Sequence, residues 1–253
     1  MARHPHLAAL RLDGPAPDPA EGVFETTLVV DGRAVEVDAH LARLEASLDL
    51  LYGEPLPADA RSLISDGAAG LGLGRLRLTV VPGVAPNVRV AEVDAALVFP
   101  ERADALAPMT VPGGIGAHKW VDRRLLDRAQ AELEPALPLL LDADGAPLET
   151  ARGNLFVVRE GALVTPALDG RLLPGIARAR AIEVARTAGI EVTERALTLD
   201  ELVNADEVFT TGGVRGLEPI HRCAGVGEWD SGEFTARVRA GLQRAWLGAD
   251  DWS

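Results

Sequence analysis

The sequence predicts an α/β (α+β) protein in two units: a small N-terminal α+β unit over residues 1–107 and a larger unit over 118–253, joined by a linker at 108–117. Three observations lead there. Short turn signals such as Asp31-Gly32 separate alternating, β-branched runs, as in hairpins. Between such runs, apolar residues recur at three- and four-residue spacing, the period of a helix with one buried face. One Pro- and Gly-rich stretch, Ala105 to Ala117, interrupts both patterns and marks the boundary.

The elements follow in order. "VFETTLVVDGRAVEV" reads as a strand pair about Asp31-Gly32, and Asp38 is placed to cap a helix whose apolar face is Leu41, Leu44, Leu48 and Leu51. "GLGLGRL", Gly70 to Leu76, precedes a strand instead of following one, the reverse of a dinucleotide loop, and reads as a connection. "RLRLTVVPG" and "VRVAEVDAALVF" are strands. In the second half "LPLLLDADGAPLETARGNLFVVREGALVTPAL" contains strands about an Asp-Gly and a Glu-Gly turn. Pro174 then starts a helix that Gly189 ends, followed by "EVTERALT", a short helix "LDELVNA" and the strand "EVFTT". There is no internal repeat and no low-complexity tract.

Composition narrows the function. With 253 residues, 47% of them hydrophobic, the chain buries a sizeable core. A formal charge of -13 and a pI near 4.8 argue against nucleic acid, which is bound by clustered Lys and Arg that release counterions. No run reaches the roughly 18 apolar residues of a membrane span, and "MARHPHLAAL" lacks the apolar core of a signal peptide. The expected setting is the cytoplasm and the expected ligand a small molecule. One cysteine, Cys223, and histidines scattered at 4, 6, 40, 118 and 221 give no metal-ligand spacing, so no metal site is expected.

Of the 25 basic residues, 24 are arginine; the single lysine lies in His118-Lys119-Trp120-Val121-Asp122-Arg123-Arg124. A solvated lysine is the ordinary reading. Yet arginine serves at most solvated positions, so a solitary lysine marks a place where a guanidinium fails. A buried primary amine can lose its proton and condense with an aldehyde, whereas arginine keeps its proton.

Four ordered blocks strengthen this reading. From Glu21 to about Trp246 the chain resembles the fold-type IV pyridoxal-phosphate enzymes: branched-chain and D-amino-acid aminotransferases and aminodeoxychorismate lyases. "FETTLVVDGRAVEVDAHLARLEAS" is similar to their N-terminal signature, "ETARGNLFVV" to a block of glutamate followed five positions later by asparagine, "LLPGIAR" to Leu-Pro-Gly-Ile-Thr-Arg, and "ADEVFTTGGVRGLEPI" to a strand with a small-residue phosphate loop. The resemblance implies a two-domain fold with pyridoxal 5'-phosphate between the domains. It implies that Lys119 holds the cofactor and moves the Cα proton. Glu149, with Asn154 in the same block, faces the pyridine nitrogen and keeps it protonated. Leu173 lies against the ring. Arg43, Gly175, Ile176, Ala177, Gly212 and Gly213 take the phosphate, aided by the N–H groups and dipole of a helix start. Phe24, Trp120, Arg124 and Arg215 are the substrate-side candidates; Trp120 reads equally as core packing, and the two arginines equally as surface ion pairs. A homodimer acting on an amine or amino-acid-like molecule is implied as well.

The chain departs from the pattern in three places. Ala177 and Gly213 stand where the family carries threonine, removing two hydroxyls from the phosphate site. About five residues after the lysine, where aminotransferases place a tyrosine, stands Arg124. The "HKWVDRRLL" segment and the Arg-Gly-containing loop are instead similar to aminodeoxychorismate lyases. The first expectation is thus a 4-amino-4-deoxychorismate lyase forming 4-aminobenzoate and pyruvate, with aminodeoxychorismate synthase as functional partner. A D- or branched-chain aminotransferase is the alternative. A decayed binding protein is the third, opposed by retention of the one lysine.

Overall fold

The computed structural model describes residues 10–11, 16–101 and 105–248. The opening segment, with His4 and His6, lies outside the described residues. In chain order the elements are β1 (Leu10–Arg11), β2 (Val23–Val30), β3 (Arg33–Ala34), α1 (Val37–Tyr52), α2 (Ala60–Ala68), β4 (Leu73–Val80), β5 (Asn87–Glu92) and β6 (Leu106–Thr110). There follow α3 (Arg124–Leu133), β7 (Leu137–Leu141), β8 (Pro147–Thr150), β9 (Asn154–Arg159), β10 (Ala162–Thr165), α4 (Ile176–Thr187), β11 (Val192–Glu194) and α5 (Leu199–Val203). The chain closes with β12 (Glu207–Gly212), β13 (Gly216–Pro219), β14 (Arg222–Cys223), β15 (Gly227–Glu228) and α6 (Glu233–Leu247).

The small unit is a four-stranded antiparallel sheet, β3-β2-β4-β5, covered on one face by α1 and α2. Its hairpin turns as expected: Asp31 and Gly32 both take positive φ, 47° and 73°, the geometry of a two-residue turn between twisted strands. Leu41, Leu44 and Leu48 pack with Val23, Val29, Leu76 and Leu78 in one apolar cluster. β2 is buried on both faces. Val23 and Val29 meet the helices, while Leu28 enters a core cluster of the large unit.

Among the described residues the large unit is an eleven-stranded mixed sheet with the main path β11-β10-β9-β8-β7-β6-β14-β15. Its two faces carry separate cores, one around α4 and α6 with Phe156 stacked on Phe209, the other around Leu139, Leu155 and Leu126 of α3. No helix among the described residues is long and apolar enough to cross a membrane.

Four expectations need correction. The linker 108–117 begins inside β6, which pairs in parallel with β7, so the large unit starts before it; Leu106 to Met109 are all buried. Asp38 does not cap α1. The chain leaves β3 so abruptly that Glu36, in the left-handed region, precedes an already helical Val37, and Asp38 pairs with Arg61 on the surface. Pro174 lies two residues before α4, whose N-cap is Gly175. Part of the glycine-rich connection, Leu73 and Gly74, is already β4, paired with β2 across Val30 and Val29.

Candidate active site

A cavity of about 1020 Å³ opens between the two units. Lys119 reaches it because its segment adds to the free edge of β2: Phe24 N–H donates to the Lys119 carbonyl at 2.9 Å, and Val121 N–H to the Gly22 carbonyl at 3.0 Å. β3 pairs only with the far end of β2, at Val29 and Val30, which leaves this edge unpaired. The Lys119 amine lies 5.0 Å from the centre of the Phe24 ring. Enclosure by the cavity walls, aided by the Arg43 charge, lowers its pKa to about 8. Phe24 is buried and forms the floor beside the amine.

Glu149 and Asn154 face each other across the β8–β9 pair. The turn between them, closed by Thr150 N–H to Gly153 carbonyl at 2.8 Å, accounts for the five-residue spacing. The Glu149 carboxylate accepts from Leu173 N–H at 3.3 Å and from Asn154 Nδ2 at 3.3 Å. Asn154 Nδ2 also donates to the Leu173 carbonyl at 2.9 Å. Burial pushes the Glu149 pKa up to about 8, against the Leu173 N–H and the charges of Lys119, Arg43 and Arg123.

The start of α4 and the β12–β13 loop bring Gly175, Ile176, Ala177, Gly212 and Gly213 to the same cavity. Gly175 is needed for space, since a Cβ there would come within 1.8 Å of Asn154 Oδ1. Arg43 anchors this end. Its guanidinium gives Nε and Nη2 to the two Glu25 oxygens at 2.7 and 2.6 Å and Nη1 to the Pro174 carbonyl at 2.9 Å. Burial alone would raise the Glu25 pKa; the Arg43 charge and the His40 hydrogen bond outweigh it and hold the group down to about 2.

The substrate-side candidates divide. Trp120 is on the cavity wall and also packs against the small unit's core, its Nε1–H donating to the Ile115 carbonyl at 3.2 Å. Arg215 lines the cavity with its guanidinium held by Glu218 at 2.7 Å. Arg124 does not line the cavity. It is exposed and forms a two-point ion pair with Asp122, whose carboxylate also caps the start of α3. Adjacent residues at a helix start point in diverging directions, and Arg123 is the one that lines the cavity, donating to the Ala151 carbonyl at 3.0 Å.

Several residues escaped the sequence reading. Glu25 and His40 bind each other beside Arg43, a cluster that the three-residue spacing of His40 and Arg43 on one helix face could have flagged. Arg75 and Arg77 alternate on one face of β4 and line the cavity. Thr26 and Thr211 line it too, each with a buried hydroxyl that has no protein partner. Cys223 is buried, its thiol pushed up to about 12, outside the cavity lining. Among the described residues no group of His, Cys, Asp and Glu is arranged to hold a metal ion.

A two-unit α/β fold with its single lysine amine and the Glu149 carboxyl in one cleft, and a glycine-lined helix start at one end, is the arrangement of an enzyme of the pyridoxal-phosphate class. The sequence profile described as amino-transferase class IV matches residues 22–223, and the chain belongs to that family. It is 27% identical to the D-alanine aminotransferase of Bacillus licheniformis, over 90% of this chain and 88% of that protein. A hypothetical aminotransferase from Mycobacterium tuberculosis in its PLP-bound form superposes with a TM-score of 0.78 at 25% identity, covering 97% and 95% of the two chains. The 4-amino-4-deoxychorismate lyase of Pseudomonas aeruginosa gives 0.74 at 27% identity, covering 88% and 90%. Branched-chain aminotransferases of Arabidopsis thaliana align at up to 49% identity, but over only 28% of this chain and 17% of their own length.

The family's cofactor is pyridoxal 5'-phosphate, and the residues fit it. A neutralisable amine and a carboxyl reach the cavity from different elements, and two of its lining residues, Thr26 and Thr211, have buried hydroxyls with no protein partner.

Proposed function

We propose that this protein is a pyridoxal-phosphate-dependent 4-amino-4-deoxychorismate lyase that forms 4-aminobenzoate and pyruvate. The observation that supports it is the charge of the substrate side of the cavity. Arg75 and Arg77 from β4 and Arg123 from the α3 entry line it. Among the described residues Arg75 and Arg77 have no carboxylate within ion-pair distance, and the nearest to Arg123 is Asp127 at 3.9 Å. In a chain of net charge -13, such a wall suits a substrate with two carboxylates, each accepted by a planar guanidinium.

In this reading Lys119 holds the cofactor, and Arg43, the α4 start and the Gly212-Gly213 loop hold its phosphate. When bound, the cofactor supplies an electron sink conjugated with the substrate amine. Glu149, kept in place by Leu173 N–H and Asn154, stabilises positive charge on the facing ring nitrogen. The Lys119 amine, with a pKa near 8, takes the proton from the carbon that bears the amino group. Loss of the enolpyruvyl group makes the remaining ring aromatic, and the substrate's atoms divide between 4-aminobenzoate and pyruvate with no other reactant. Phe24 and Trp120 wall the reacting ring. A synthase that supplies the substrate is the functional partner this reading requires, and a homodimer is part of the proposal.

A second reading, an aminotransferase of D- or branched-chain amino acids, is favoured by the near full-length similarity to a D-alanine aminotransferase. The two are separated by supplying 4-amino-4-deoxychorismate to the pyridoxal-phosphate form and assaying 4-aminobenzoate and pyruvate, with Lys119→Ala as control. Equal amounts of both products, absent in the variant, support the lyase. A visible cofactor band that bleaches with an amino acid, without 4-aminobenzoate, assigns transamination.

A further inference from the structure

His40 has no role in the chemistry above, yet it stands at the phosphate end of the cavity. It is 3% exposed, on α1 one turn before Arg43, with Nδ1 2.7 Å from Glu25 Oε2. Glu25 is ionised, since Arg43 clamps both its oxygens, so it only accepts, and Nδ1 must carry the proton. In a neutral ring Nε2 is then a lone pair. Among the described residues that nitrogen has no hydrogen-bond partner, and the ring lines the cavity. It faces the loop at Gly213, where an added Cβ would stand 3.5 Å from His40 Cε1 and 3.8 Å from Nε2. The loop that carries Gly213 thus lies within van der Waals reach of the imidazole edge.

A lone pair aimed at a phosphate is repulsive; a proton on Nε2 makes it a charge-assisted donor. We propose that His40 is a phosphate-binding residue that takes up a proton from solvent as the cofactor binds, so that an imidazolium bridges the Glu25 carboxylate and the phosphate. The charged groups that face it are Glu25 from β2, Arg43 and Glu36 on α1 and its N-cap, and Lys119 from the interunit segment. Burial keeps the ring neutral before the anion arrives, against the pull of Glu25, and the phosphate supplies the second negative charge that tips the balance. The positive charge of Arg43 and Lys119 opposes the change, which makes it conditional on the phosphate.

The test compares pyridoxal phosphate with pyridoxal, which lacks only the phosphate, by absorbance titration of the cofactor-free protein and its His40→Gln variant; glutamine can still donate to Glu25 but gains no charge. Expected is about a tenfold or greater loss of pyridoxal-phosphate affinity, with pyridoxal affinity changed by less than about threefold. Equal weakening of both ligands, or of neither, overturns the proposal. Nitrogen NMR of the unsubstituted protein gives an independent answer: both His40 ring nitrogens protonated near pH 7.5 with pyridoxal phosphate and only one with pyridoxal. A neutral ring in the phosphate-bound form overturns it. Neither readout uses a substrate, so the result stands apart from the choice between lyase and aminotransferase.

Discussion

Glu25, behind the cavity-lining Arg43 and His40, and Glu149, in the cavity wall, are buried nearly equally, 3% and 7% exposed, and their carboxyls move in opposite directions. Glu25 falls to about 2 and Glu149 rises to about 8. Burial raises both; the difference is the partner. Glu25 is clamped by the Arg43 guanidinium and the His40 ring, so its charge is compensated before any ligand arrives. Glu149 has two long neutral donors, Leu173 N–H and Asn154 Nδ2, and the nearby cations offset little of its burial. One end of the site is assembled in advance, while the other has a carboxyl whose burial is left largely uncompensated.

The lysine that shares the Glu149 end provides the hardest test. Lys119→Ala is expected to remove the visible band of the bound cofactor and to lower turnover by about a thousandfold or more, the scale of losing a proton-transfer group, as read by absorbance and single-turnover assays. At the pre-assembled end, Glu25→Gln leaves the Arg43 charge uncompensated. The expected loss is about 3 to 5 kcal/mol of stability in urea denaturation near pH 7. The sign of its pH dependence follows: a depressed native pKa gives stability that is full above about 4.5 and lost as pH falls toward 2, and the variant should show less of that acid loss.

Glu149→Gln sharpens the contrast. Turnover should fall about a hundredfold while the cofactor still binds. In the cofactor-free protein a native pKa above the unfolded value means that stability declines as pH rises from 4.5 through 8; the variant should flatten that decline. A profile across this range that is the same in the wild type and the variant would place Glu149 with Glu25. The smallest effects compare neighbours on the substrate side. Arg123→Ala should raise KM about tenfold through loss of a charged contact, whereas Arg124→Ala, exposed and paired with Asp122, should stay within about twofold. Equal effects would return Arg124 to the site.

Much of this was legible in order along the chain. Asp31-Gly32 foretold the first hairpin because few other pairs accept two positive φ angles, and the leucine spacing foretold α1. The Glu149–Asn154 separation encodes a strand, a tight turn and a strand back. The boundary at 108–117 was misplaced because Pro and Gly mark irregular backbone without telling which sheet the flanking residues join; Leu106 to Thr110 pair with β7, a contact that only folding makes.

The sequence by itself singled out Lys119, Glu149 and the glycines at 175, 212 and 213 as candidates, and folding brings all of them to one cavity. Each was legible from residue type: only a lysine amine can condense with an aldehyde, and glycine lets backbone approach a ligand closely. Tertiary structure decided which of two adjacent arginines enters the cavity, and which buried carboxyl is charged. Side-chain direction at the start of α3 depends on the Asp122 cap, and a carboxyl's ionisation depends on charges brought from distant segments, such as Arg43 eighteen residues from Glu25. Neither is a property of a residue and its neighbours in sequence.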